Sequence, residues 1–174
     1  MARPISRLEK LYFRLQAQHA CLAWAFNEIA NHPGVVFEIG LGKGRTYDHL
    51  RRHLPDREIL VFDREVSSDP DCVPDEKHLF LGDLSVTLPQ AAKEFESRVV
   101  MAHSDVGSPG PFSSYGNTTM SGLVSTHLAP ALADGAIILS DLPIVMPNAF
   151  ALPLPAGARE NHYFLYRYSR KQLL

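Results

Sequence analysis

The sequence predicts an α/β fold: a doubly wound, mostly parallel sheet with helices on both faces, a long leading helix and a shortened carboxyl-terminal end. Three observations carry this. Short runs of β-branched, aliphatic and aromatic residues alternate with helical segments between Val35 and Asp141, and strands spaced in this way pair in parallel. The runs close on Gly40, Asp63, Asp83, Asp105 and Asp141, which gathers polar groups on one edge of the sheet. A proline-free segment with helical apolar periodicity precedes them all.

Ser6 to Ala30 reads as that first helix. Leu8, Leu11, Tyr12, Leu15, Leu22, Phe26 and Ile29 recur at helical spacing, and Tyr12, Trp24 and Phe26 are expected in the core. Asn31-His32-Pro33-Gly34 stops it. Val35 to Ile39 suits a buried strand, and Gly44 to Leu54 a helix ended by Pro55. Glu58 to Phe62 is the second strand. The acidic, proline-interrupted stretch from Arg64 to Glu76 is a loop or short helix. His78 to Leu81 is the third strand, Leu88 to Phe95 a helix, and Arg98 to Ala102 the fourth strand. His103-Ser104-Asp105 and a Gly/Pro/Ser loop follow, then a helix from Tyr115 to Leu128, with Tyr115 either bordering the site or simply starting the helix. Gly135 to Leu139 is the fifth strand. Leu142 to Ala158 is irregular, and His162 to Tyr168 is the last strand.

The 174 residues fit one domain, divided into a helical cap (1–31), a binding core (35–141) and an irregular segment with the last strand (142–174). Hydrophobic residues make up 45% and charged residues 21%, and the net charge is −2. This composition gives no general attraction to nucleic acid or anionic membranes. The basic groups Arg51-Arg52-His53 and Arg167, Arg170 and Lys171 read as solvated surface. Cys21 and Cys72 match no zinc or redox spacing. His49 and His53 stand four apart on a helix, but no third ligand is evident. No leader peptide or membrane span is read, so a cytoplasmic protein is expected.

The chemistry concentrates at Glu38-Ile39-Gly40-Leu41-Gly42-Lys43-Gly44. Glycines between a strand and a helix permit positive φ and close backbone approach to a ligand. The helix start offers free N–H groups. Glu38 lies inside the strand, and Asp63 ends the next one, where a carboxylate can accept hydrogen bonds from ribose hydroxyls. A dinucleotide fingerprint would need Gly or Ala at position 45, which is Arg45, and a pyrophosphate pairs poorly with Glu38. A P-loop is excluded because no Gly-Lys-Ser/Thr follows. A ligand with an ammonium and a sulfonium suits nearby acids.

Taken in order, Val36 to Gly44, Val61-Phe62-Asp63 and Leu81-Gly82-Asp83-Leu84 resemble the first three motifs of the class I S-adenosylmethionine-dependent methyltransferases. The resemblance covers roughly residues 35 to 141 and implies a Rossmann-like fold. It implies that the glycine turn holds the methionine portion, Asp63 the ribose, and Asp83 with Leu84 the adenine. The cofactor set is then Glu38, Gly40, Leu41, Gly42, Gly44, Asp63, Arg64, Asp83, Leu84 and Ser104, with S-adenosyl-L-methionine as cofactor. Asp105 and His103 are the candidates for binding the acceptor or removing its proton. Asp105 and Asp141 end neighbouring strands and could hold Mg²⁺ as in catechol-type O-methyltransferases. Those relatives carry an Asp-Asn pair where Asp141 is followed by Leu142, so no metal site is expected.

The expected reaction is in-line displacement of the sulfonium methyl by an acceptor, catalysed mainly by alignment and exclusion of water. The short chain without a basic face favours a small-molecule acceptor. Two other functions compete: a cofactor-binding protein without transfer, and a nicotinamide-dependent oxidoreductase. A homo-oligomer built through the long helix or the last strand is a further expectation.

Overall fold

The computed structural model describes residues 4–107 and 113–170, without the side chains of residues 113–115, 117 and 118. The first helix, α1 (Arg7–Ile29), begins in a reciprocal cap: the Ser6 hydroxyl accepts from Glu9 N–H, and the Glu9 carboxylate accepts from Ser6 N–H. Arg57 gathers the carbonyls at its other end, donating to Ile29 at 2.5 Å and to Gly34 at 3.1 Å. Only part of the α1 apolar stripe is covered. Cys21, Leu22, Ala25 and Ile29 are buried, whereas Leu8, Leu11, Tyr12 and Leu15 are exposed. Tyr12, expected in the core, therefore lies on the surface at 58% exposure. Trp24 and Phe26 do pack against the core.

The elements alternate as β1 (Val35–Ile39), α2 (Arg45–His53), β2 (Ile59–Asp63), β3 (Leu79–Leu81), α3 (Leu84–Glu94), β4 (Val99–Ser104), α4 (Ser113–His127) and β5 (Leu132–Ser140). Two single-turn 3₁₀ helices, Pro70–Cys72 and Glu76–His78, occupy the stretch between β2 and β3. Helix α3 starts four residues before its expected position. The Asp83 carboxylate accepts from Ser85 N–H at 2.9 Å and nucleates the helix ahead of Pro89, which the helix then carries internally. The fourth strand runs on through His103 and Ser104.

Two further strands follow, β6 (Ala149–Ala151) and β7 (Phe164–Tyr168), giving the order β3-β2-β1-β4-β5-β7-β6. The first five strands are parallel, and β7 runs antiparallel to both β5 and β6. Strand β6 lies inside the stretch expected to be irregular. At three residues it is too short to carry a periodic signal. Residues 142–148 connect β5 to β6 without a helix.

Two cores sandwich the sheet. Phe37, Ile39, Leu60 and Phe62 pack on one face with Leu88, Ala91, Val124 and Leu128 of α3 and α4. Val36, Val61, Met101 and Leu139 pack on the other with α1, Leu50 and Tyr163. The strand order reverses between β1 and β4, so a crevice opens beyond their carboxyl ends. No helix among the described residues is long and apolar enough to cross a membrane.

Candidate active site

A cavity of about 940 Å³ occupies that crevice. Its walls bring together Gly40, Gly42, Asp63, Arg64, Asp83, Leu84 and Asp105 of the expected residues, closed from α4 by Thr119, Met120 and Leu123. The glycine turn has the backbone that its residue types suggest, with φ of +99° at Gly40, +51° at Gly42 and +79° at Gly44. A side chain at Gly40 would overlap the Asp105 carbonyl, and one at Gly44 would meet Cys72 and Ser68. Gly42 has nothing within 4 Å of where a Cβ would stand. That leaves the turn open on the cavity side, as a ligand lying against the backbone requires.

Asp63 is the turn's anchor. Its Oδ2 accepts from Leu41 N–H and Gly42 N–H, both at 2.9 Å, and its Oδ1 from Arg64 N–H at 2.6 Å and, at the longer distance of 3.5 Å, from Glu65 N–H. A carboxylate offers about four lone-pair sites, so a ligand hydroxyl would take the place of the longest of these contacts, that from Glu65. Asp83 faces the same cavity from the start of α3, and the Ser85 hydroxyl and N–H hold its carboxyl below the usual carboxylate range. Leu41 contributes backbone only, since its side chain is buried against α1 and α2. Gly44 caps α2. Ser104 is buried at the end of β4, and its hydroxyl has no partner among the described residues. The Tyr115 side chain lies outside the described residues.

His103 and Glu38 are not brought to the cavity. Side chains alternate along a strand, and both residues project to the α1 face, where they are fully buried. His103 Nδ1–H donates to Glu38 Oε2 at 2.6 Å, and its Nε2 meets the Tyr163 hydroxyl. Burial opposes charge on the imidazole, but the Glu38 carboxylate beside it outweighs this and raises the His103 pKa. Burial raises that of Glu38, and His103 only partly offsets it. The pair therefore holds its proton to higher pH than either group would in water.

This pair joins a network that has no motif in the sequence. Gln18 places its amide nitrogen 3.2 Å from His103 Nε2, 3.3 Å from Asp105 Oδ2, 3.4 Å from the Tyr163 hydroxyl and 3.2 Å from Thr46 Oγ1. One helical turn earlier, Arg14 donates to Asp105 Oδ1, and its Nη2 lies 4.0 Å from Asp141 Oδ2. Asp141 also accepts from Val106 N–H at 3.3 Å and Gly107 N–H at 2.9 Å. Burial and then the Asp105 charge push its pKa up to about 6. Arg14 and Gln18 stand four apart on α1, so one polar stripe of that helix meets the strand ends. That spacing was the available signal, hidden by the apolar periodicity around it. His19 joins His49 and His53 on the surface, yet no group of three His, Cys, Asp or Glu side chains among the described residues is arranged to hold a metal ion.

A doubly wound sheet with a glycine-floored cavity at its switch point and acids at successive strand ends defines a nucleoside-binding α/β protein with the layout of an S-adenosylmethionine enzyme. The chain belongs to the S-adenosyl-L-methionine methyltransferase family whose model, Methyltransf_17, matches residues 5–168. It is 38% identical to an S-adenosyl-L-methionine methyl transferase from Silicibacter pomeroyi DSS-3, over 95% of this chain and 100% of that one, with a TM-score of 0.89. More distant folds agree. The MycE methyltransferase of the mycinamycin biosynthetic pathway, crystallised with Mg and SAH, gives a TM-score of 0.55 at 15% identity, over 97% of this chain and 50% of that one. SAH-bound PaMTH1 from Podospora anserina gives 0.54 at 16% identity, over 95% and 80%. A search of the curated proteins returned no match. The protein is thus an S-adenosylmethionine-dependent methyltransferase of Rossmann-like fold.

Proposed function

We propose that this methyltransferase binds S-adenosylmethionine in the crevice beyond β1 and β4 and passes its methyl group to a small-molecule acceptor beside Asp105. The observation that carries the reading is the convergence of the glycine turn, Asp63, Asp83 and Asp105 on one cavity. When bound, the cofactor supplies an electrophilic methyl on a sulfonium. Gly40 and Gly42 flank the methionine portion, and Leu41 supports it through its backbone. Asp63 takes one ribose hydroxyl in place of the long Glu65 contact while holding the turn. Arg64, Asp83 and Leu84 border the adenine side. Glu38, Gly44 and Ser104 act from beneath, keeping the turn and the end of β4 in place.

Asp105 is the one acidic side chain assigned to the acceptor side. It orients an acceptor N–H or O–H and takes a proton where the reaction releases one. His103 acts through Tyr163 and Gln18 rather than on substrate. A small acceptor fits a chain of net charge −2 with no basic face. Cytoplasmic residence fits the same features, and the exposed stripe Leu8, Leu11, Tyr12 and Leu15 is the surface we assign to self-association. Calorimetry with S-adenosylmethionine and S-adenosylhomocysteine, followed by a screen for S-adenosylhomocysteine release across small amines, phenols and carboxylates, tests the proposal. Binding without turnover on any acceptor would favour a cofactor-binding role instead.

A further inference from the structure

Asp105 and Asp141 follow the ends of adjacent parallel strands, β4 and β5, and point their carboxylates at one place. Two hard oxygen donors brought together in this way are half of a divalent-cation site. Left alone, they would repel each other. The place is already taken. Arg14, reaching from α1, bonds Asp105 Oδ1 and faces Asp141 Oδ2 with the same nitrogen. Each carboxylate is also held from its other side, Asp105 by Gln18 and Asp141 by the N–H groups of Val106 and Gly107. The Asp141 side chain is only 6% exposed. A Cβ at its neighbour Gly107 would overlap Asp141 Oδ2, so residue 107 is packed closely against the ion pair.

We propose that Arg14 is the built-in cation of the acceptor side: its guanidinium takes the place between Asp105 and Asp141 that a divalent ion would need, fixes Asp105 at the cavity wall and keeps the two carboxylates from binding metal. This rests on the reading of the cavity given above only for the word acceptor; the ion arrangement stands without it. A guanidinium suits the task because it stays protonated, and one of its nitrogens here faces both carboxylates. Arg14 is thus a positioning residue, acting on substrate through Asp105. Its presence also links α1 to the chemistry, since a shift of the helix would move the carboxylate. MycE, which resembles this chain in fold alone, was crystallised with Mg. Here the arrangement of side chains points to an internal cation instead.

Mn²⁺ titration followed by electron paramagnetic resonance tests this without any acceptor. The folded wild-type protein is expected to leave the free-ion signal unchanged at millimolar Mn²⁺. Arg14→Met and Arg14→Gln, each checked for folding by circular dichroism, are expected to bind one ion per chain at least about ten-fold more tightly than wild type. Adding Asp141→Asn to either should remove that ion. Arg14→Lys, which restores a cation, should again exclude it, a rescue that a purely structural role does not predict. Wild-type Mn²⁺ binding that Asp141→Asn abolishes would overturn the proposal. So would folded Arg14→Met or Arg14→Gln protein that gains no site. Calorimetry with S-adenosylmethionine on the wild type, run in parallel, separates failure of this proposal from failure of the cavity assignment.

Discussion

Replacing Asp63 with alanine removes four hydrogen bonds at once: those from Leu41 N–H and Gly42 N–H at 2.9 Å, that from Arg64 N–H at 2.6 Å and the longer one from Glu65 N–H at 3.5 Å. It also removes the acceptor position assigned to a ribose hydroxyl. Hydrogen bonds to a charged group contribute roughly 1.5–3 kcal/mol each. The freed N–H groups of Gly42, Arg64 and Glu65 belong to residues that line the open cavity and regain water, so part of the loss at the turn is recovered. What remains is the ribose bond and the order of the turn, together about 3 kcal/mol of binding, or roughly a hundred-fold in dissociation constant. Asn at this position keeps one carbonyl oxygen able to accept both turn N–H groups, but it turns an NH₂ toward the Arg64 N–H. A loss of about ten-fold is expected there. Isothermal titration with S-adenosylmethionine reads both variants, and thermal melts confirm that they remain folded. An Asp63→Ala protein that binds within about three-fold of wild type would refute the placement of the adenosine and the anchoring role together.

The other predictions concern positions whose surroundings set the outcome. Gly42→Ala projects a methyl into open space from a left-handed backbone, so it should cost only about 1–2 kcal/mol of stability yet weaken cofactor binding; Gly44→Ala meets Cys72 and should lower the melting temperature more. His103→Ala strands the fully buried Glu38 and should destabilise the fold by about 3 kcal/mol in urea titration, while leaving cofactor affinity less affected than Asp63→Ala does. Asp141 has a native pKa of about 6, raised from 3.8. The native state therefore binds its proton more tightly than the unfolded chain. Its stabilising contribution is complete below the unfolded value and is lost as pH rises through about 6, a change of roughly 3 kcal/mol. Asp141→Asn should flatten that part of the stability profile between pH 4 and 6, measured by denaturant titration; an unchanged profile would show that Asp141 ionises normally.

The parallel core was legible because its signals are local. Strands β1, β2 and β4 are buried runs of apolar residues, and their ends carry the glycines and acids that a crevice needs. Asp63, Asp83 and Asp105 each stand out in the sequence as strand-end acids, and the cavity gathers all three. Local signals failed where the third dimension decides. The apolar spacing of Leu8, Leu11, Tyr12 and Leu15 implies a buried face, but these residues extend past the body of the sheet and stay exposed. Arg14 and Gln18 carried no motif; they acquire meaning only because α1 crosses the carboxyl ends of β4 and β5. Strand β6 pairs with β7 through three residues, a contact that depends on β7 being present to receive it.

His103 shows why the position of a polar residue within a strand matters as much as its identity. The cavity is walled by Ile39 and Phe62, which project to the α3 and α4 face. Glu38 and His103 pair in register on adjacent strands and project to the opposite face, so neither can reach the cavity without a break in the sheet. A residue past the last ladder pair is free of that alternation. Asp105 is such a residue: its N–H still bonds Ile39 O at 2.9 Å, while its carboxylate meets both the cavity and the α1 network. The path from the buried Glu38–His103 pair to the cavity therefore runs through Gln18 to Asp105. The proposed influence of His103 on methyl transfer passes chiefly through the position of that one carboxylate, and otherwise through Glu38 beneath the turn. Arg14 holds the same carboxylate from the outside, so effects of His103 and Arg14 substitutions on turnover should be strongly non-additive, whereas either should add to the effect of Asp63→Ala at the far end of the cavity.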